Sequence, residues 1–202
     1  MSTTPHPLQR YYRAHARIYD ASRWLFLFGR RQLVQRIVES GHRPQRILEI
    51  GCGTGNNLLL LRRYFPQAEL TGLDLSADML AHAHRKLGPS VTLQQQRYLA
   101  PLNPLQPFDL ILIAYTLSMI NPGWHEVIGY AKSDLAPSGR LAVVDFAGSS
   151  LTWFKQWMWF NHVRMDDHLT PTLQSSLSSE WLEMRPAYGG LWRYFLYLGG
   201  NR

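Results

Sequence analysis

Three glycines at alternate positions, Gly51, Gly53 and Gly55, separate an apolar run ending at Ile50 from a leucine-rich segment, and an acid, Asp74, closes the next apolar run. From Arg46 to Asp74 the chain reads RILEIGCGTGNNLLLLRRYFPQAELTGLD. Glycine has no Cβ, so a backbone rich in it can turn sharply and pass close to a ligand. An acid about twenty residues beyond such a turn suits the paired hydroxyls of a ribose. Strand, turn, helix, strand and acid in this register make a cradle for a nucleoside cofactor. The competing reading is a tight strand-to-helix turn that holds nothing.

The glycine spacing identifies the kind of nucleoside. A dinucleotide site uses G-x-G-x-x-G to turn helix amides towards a pyrophosphate, whereas this chain has Glu49 followed by G-x-G-x-G. LEIGCGTGNN resembles motif I, E/D-x-G-x-G-x-G, of the class I S-adenosylmethionine-dependent methyltransferases. The resemblance implies that Gly51 to Gly55 run beneath the methionine part of S-adenosyl-L-methionine. Glu49 then orients the turn or the cofactor's amine, and Asp74 accepts both ribose hydroxyls. In many members an acid after the third strand meets the adenine; here that region reads QQQRYLA, and Gln96 is the cofactor-binding candidate.

A sulfonium is already an excellent leaving group, so such a site must mainly align an acceptor in line with the methyl and exclude water. An amine acceptor must also be neutral when it attacks. Open parallel sheets bind ligands at the carboxyl ends of their strands, which picks out Tyr115 and Ser118 after FDLILIA and Asp145 within RLAVVDF. Each has a plain structural alternative: a packed aromatic, a helix cap and a structural acid.

Three outer segments narrow the acceptor. YYRAHARIYDASRWLFLFGR at 11–30, YTLSMI at 115–120 and YGGLWRYFLYLGG at the end resemble the methyltransferases of betaine-lipid synthesis, which trimethylate the amine of diacylglyceryl-homoserine. Carried over by position, the resemblance implies that Tyr19 covers the cofactor while Tyr12, His15 and Arg23 face the headgroup. Tyr115, Tyr12 and His15 are the catalytic candidates. Arg23, Asp145 and His162 are the substrate-binding ones, Arg23 because a guanidinium pairs a carboxylate bidentately. Alternatives are a phosphatidylethanolamine N-methyltransferase, a small-molecule amine methyltransferase and, from another class, an RNA-binding protein. A cofactor-dead scaffold is a further alternative, opposed by the complete turn and Asp74.

The charge is distributed unevenly. Residues 1–46 hold nine arginines against Asp20 and Glu39, which equals the whole chain's net charge of +7. Basic residues mixed with Tyr11, Tyr12, Tyr19, Trp24, Phe26 and Phe28 fit an anionic membrane surface or RNA. They fit equally a solvated helix whose aromatic residues face the core. The expected partners are therefore a lipid or small amine, an anionic membrane and an enzyme that makes the headgroup, with no DNA. The first twenty residues lack the apolar core of a signal peptide, and no apolar run is long enough to cross a bilayer. Cys52 is the only cysteine, which excludes an intrachain disulfide and suits a reducing compartment. A cytoplasmic protein held at the inner membrane face is expected.

About 200 residues of ordinary apolar content make one domain, here a basic aromatic cap at 1–45 and a core at 46–202. Hydrophobic periodicity places a helical segment near 8–40, strands at 46–50, 68–73, 91–95, 108–114, 140–146, 181–187 and 192–198, and helices at 55–64, 76–87 and 122–134. The alternation predicts an α/β fold: a Rossmann-like, doubly wound, mostly parallel seven-stranded sheet with an antiparallel C-terminal hairpin strand. In the aromatic segment at 151–163, Trp153, Trp157 and Phe160 fall on one helical face, with Trp159 and Met158 on another. That segment either packs on the sheet, covers the acyl chains or enters the membrane interface. Asp166, Asp167, His162 and His168 could gather round a metal, but no cysteine joins them and methyl transfer needs none, so no metal is expected.

Overall fold

The computed structural model describes residues 27–102 and 105–201. Thirteen main elements follow one another: α1 (Arg30–Glu39), β1 (Arg46–Ile50), α2 (Asn56–Tyr64), β2 (Glu69–Asp74), α3 (Ala77–Leu87), β3 (Val91–Gln95), β4 (Phe108–Ala114), α4 (Trp124–Asp134), β5 (Leu135–Gly148), α5 (Thr152–Phe160), α6 (Leu169–Ser176), β6 (Ser178–Ala187) and β7 (Trp192–Gly200). The strands form one sheet in the order β3-β2-β1-β4-β5-β7-β6. β1 to β5 pair in parallel, and β7 runs antiparallel to both β5 and β6. This is the seven-stranded, mostly parallel α/β architecture that the alternating sequence predicts.

Burial explains the order. β1 and β4 are buried almost without interruption because helices cover both faces of a parallel sheet. On one face Leu33, Val34 and Ile37 of α1, Leu58 and Leu61 of α2, Leu80 of α3 and Phe154 and Met158 of α5 meet in one core. On the other, Val127, Ile128 and Ala131 of α4 and Leu169 and Leu173 of α6 pack on Ile111, Ile113 and Val143. Ser76 caps α3 by accepting the Met79 amide at 3.3 Å.

Several boundaries differ from expectation. β5 begins at Leu135 rather than 140, and β6 at Ser178 rather than 181, because bulges beside β4 and β7 absorb irregular residues that break the alternation. Helix α6 has no counterpart among the expected elements: Leu169, Thr170 and Leu173 form only a short apolar stripe, in a segment rich in serine and threonine. Of the expected helix at 8–40, the described residues contain Arg30–Glu39. The cap residues Tyr12, His15, Tyr19 and Arg23 lie outside the described residues.

Candidate active site

The glycine turn connects the carboxyl end of β1 to α2. Its Gly51 and Cys52 amides both donate to the Leu73 carbonyl at 2.9 Å, which stitches the turn to the end of β2. All three glycines adopt left-handed φ, at 74°, 55° and 77°, but their roles separate. A Cβ on Gly51 would collide with Thr116, its Cγ2 lying 2.8 Å away, and one on Gly55 would meet Leu87 Cδ1 at 2.7 Å. A Cβ on Gly53 would meet nothing within 4 Å. Gly51 and Gly55 are thus required by packing, and Gly53 forms the open lip.

Two carboxylates flank this lip. Asp74, at the last position of β2, accepts the Gly53 amide on Oδ2 and the Ser76 amide on Oδ1, both at 2.8 Å. Those bonds fix its orientation, and each carboxylate oxygen has two acceptor sites. Glu49 is 1% exposed. Its Oε1 accepts from Asn57 Nδ2 at 2.7 Å, while Oε2 is buried without a hydrogen-bond partner. Burial pushes the Glu49 carboxyl up to about 8, against the lowering influence of Asn57 and Arg30. A buried, unpaired acceptor is costly unless a ligand completes it. An open glycine lip, an orphaned acceptor and an acid at the ribose position together fit S-adenosyl-L-methionine. Gln96 donates its backbone amide to the Asp74 carbonyl at 3.1 Å, which places it beside the same acid.

Other expected site residues face inward. Tyr115 is 1% exposed, packs edge-on against Phe146 and donates its hydroxyl to the Phe28 carbonyl at 2.7 Å. Burial pushes its phenol well above the ordinary value, so in this geometry it ties residue 28 to the sheet and is not placed as a proton acceptor. Asp145 is fully buried, and its oxygens take the Ser118 and Phe146 amides at 3.1 and 2.8 Å. Burial pushes it up to about 6. It anchors the turn after β4 rather than presenting a carboxylate to a substrate. His162 is exposed just beyond α5, where its amide closes the helix end on the Trp159 carbonyl. Cys52 is a buried packing residue whose thiol burial pushes far up.

A polar group that the sequence offers only as a metal cluster takes another form. Asp166 Oδ1 pairs with His168 Nδ1, and its Oδ2 accepts from Arg164 Nε at 2.7 Å. The segment is joined to the carboxyl ends of β4 and β5: the Arg164 amide donates to the Ser118 carbonyl at 2.9 Å, and Asp166 bridges Gly148. The His168 side chain is 9% exposed, rests against Trp124 with ring centroids 4.7 Å apart, and leaves Nε2 buried without a partner. Asp166 as acceptor places the proton on Nδ1, so Nε2 carries the lone pair. Burial holds His168 below its usual value despite Asp166. Among the described residues no group of three or more His, Cys, Asp and Glu side chains could hold a metal. In the sequence the pairing is legible only as proximity, since Asp166 and His168 are two residues apart.

Comparison with known proteins agrees with this geometry. Residues 47–139, from β1 into β5, match the family model described as a methyltransferase domain. Around it, the chain is 40% identical over 100 residues to trans-aconitate 2-methyltransferase of Methylobacterium nodulans, covering 50% of this chain and 38% of that enzyme. Demethylmenaquinone methyltransferase of Thermus thermophilus is 35% identical over 136 residues, or 63% of this chain and 60% of that protein. The chain therefore spans less than two thirds of these relatives. The N-methyltransferase NodS from Bradyrhizobium japonicum WM9, solved with S-adenosyl-L-homocysteine, shares the fold at TM-score 0.69, with 20% identity and 85% of each chain covered. The matched segment thus includes the glycine turn, Glu49, Asp74 and Gln96, whereas α5, His168 and the β6–β7 hairpin lie beyond it.

Proposed function

We propose that the chain is an S-adenosyl-L-methionine-dependent N-methyltransferase whose acceptor is the amine of a polar lipid headgroup, diacylglyceryl-homoserine being the first candidate. The observation that carries the methyl-transfer reading is the cradle: Gly53 open, Glu49 Oε2 unpaired and Asp74 held at the end of β2, all inside the segment that matches a methyltransferase domain. When bound, the cofactor supplies a methyl group on a sulfonium. The chain contributes position: the Gly51–Gly55 turn lies under the methionine part, Glu49 faces its ammonium group and Asp74 takes the ribose hydroxyls. The amine must lose its proton before it attacks.

The lipid acceptor rests on the betaine-lipid resemblance of YTLSMI and YGGLWRYFLYLGG and on the exposed aromatic residues of α5. These also support a peripheral position at the inner membrane face. A second reading, methylation of a small acid, is favoured by the identity to trans-aconitate 2-methyltransferase. Labelled methyl transfer to a polar-lipid extract and to trans-aconitate, with separated products, distinguishes them. Label in a homoserine lipid supports the proposal, label in a phosphate-bearing lipid moves the acceptor to phosphatidylethanolamine, and label only in trans-aconitate overturns the lipid assignment.

A further inference from the structure

Helix α5 has a face that the fold does not use. Phe154 and Met158 are buried in the core beside Trp192, with Phe154 stacked on the Trp192 ring at 5.4 Å. Trp153, Trp159 and Phe160 are 61%, 62% and 80% exposed, and Trp157 and Tyr188 are about half exposed. Large aromatic side chains contribute most when buried, so a cluster of them in water on a nine-residue helix marks a surface that meets something else.

The patch is continuous with the entry of the chain. Phe28 lies 5.2 Å from Tyr188 and 6.1 Å from Trp192, the residue on which Phe154 stacks. The charge along the α5 segment has one sign. From Phe146 to Met165 there is no Asp or Glu, while Lys155 lies within α5. The nearest following acid, Asp166, is held by Arg164 and His168. Arg31, exposed on the same side of the sheet, lies three residues from Phe28. Tryptophan beside cationic residues, with no acid between Phe146 and Met165, is complementary to a bilayer interface bearing anionic headgroups.

We infer that the outer face of α5, with Trp153, Trp159 and Phe160 as its insertion residues, docks this protein onto an anionic lipid surface. The inference extends the lipid-acceptor reading and rests on it only for the choice of a lipid surface; a membrane-docked enzyme acting on another amine would satisfy it equally. The aromatic rings enter the headgroup and upper acyl region, and the basic residues meet lipid charge outside it. No helix among the described residues is long and apolar enough to cross a membrane, so attachment is along the surface.

The test uses the full chain with vesicles of phosphatidylglycerol and phosphatidylcholine, read by sedimentation and by quenching of tryptophan fluorescence with brominated acyl chains. The wild type should bind anionic vesicles, more weakly as salt rises, and be quenched. Replacing Trp153, Trp159 and Phe160 together by Ala should weaken binding by about tenfold or more. Folding of the variant is checked by circular dichroism and by unchanged affinity for S-adenosyl-L-homocysteine, which also keeps a failure here separate from a failure of the cofactor assignment. Equal vesicle binding by wild type and the folded variant would overturn the inference. So would a wild type that ignores vesicles but forms a dimer which the variant dissolves, since the face would then be a contact between two copies.

Discussion

The three glycines of the turn divide into two kinds, a distinction that their spacing does not reveal. Gly51→Ala and Gly55→Ala should destabilise the fold, because each adds a Cβ against Thr116 or Leu87 at a left-handed position. Gly53→Ala should cost about 1 kcal/mol of strain yet weaken S-adenosyl-L-homocysteine binding more than its stability loss explains; denaturation and calorimetry on the three variants check this. Asp74→Ala removes the acceptor of two amides, Gly53 and Ser76, so it should lower both cofactor affinity and stability, the latter by about 1–3 kcal/mol. Glu49 makes binding sensitive to pH. Its folded value of about 8 lies above the ordinary 4.5, so the free fold holds this proton and loses stability as pH rises through that interval. An ammonium ligand favours the carboxylate, so binding should release close to one proton near pH 7 and tighten towards pH 8. Calorimetry in buffers of different ionisation enthalpy should show the release in wild type and not in Glu49→Gln; identical profiles would place the amine elsewhere.

Among the elements, the strongly periodic ones are legible in the amino-acid sequence. β1, β2, β3 and β4, the helices α2 and α3 and the hairpin round Gly189 stand where their apolar periods and capping residues put them, because burial on two faces leaves an unmistakable pattern. Less is visible where tertiary contacts override local preference. α6 carries only three inward residues, and the first part of β5 reads as a proline-containing loop, LAPSG, that pairing with β4 recruits at its end. The candidate site divides along the same line. Glu49 and Asp74 are readable because the turn fixes their spacing, whereas Tyr115 and Asp145 look available only because sequence position does not tell which side of a strand end is open. Burial turns both inward. Between β3 and β4 no helix intervenes among the described residues; instead Asp134 at the end of α4 takes the Tyr98 hydroxyl at 2.6 Å and the Leu102 amide at 2.8 Å. Asp134→Ala should therefore cost about 2–4 kcal/mol in chemical denaturation by leaving buried donors unpaired, with little change in cofactor affinity because the cradle is on other elements.

On the scale of the whole molecule, the glycine cradle and the exposed aromatic face are separate surfaces. The cradle lies at the carboxyl ends of β1 and β2, while the aromatic face belongs to α5 beyond the matched domain. The most direct test of the central claim is calorimetric titration of S-adenosyl-L-homocysteine into the wild type and into Gly53→Arg, with folding of both verified by circular dichroism. The wild type should bind one equivalent, and the folded Gly53→Arg variant should not bind. Equal affinity in the two, or a folded wild type that binds none, would contradict the assignment of the glycine turn as a cofactor cradle.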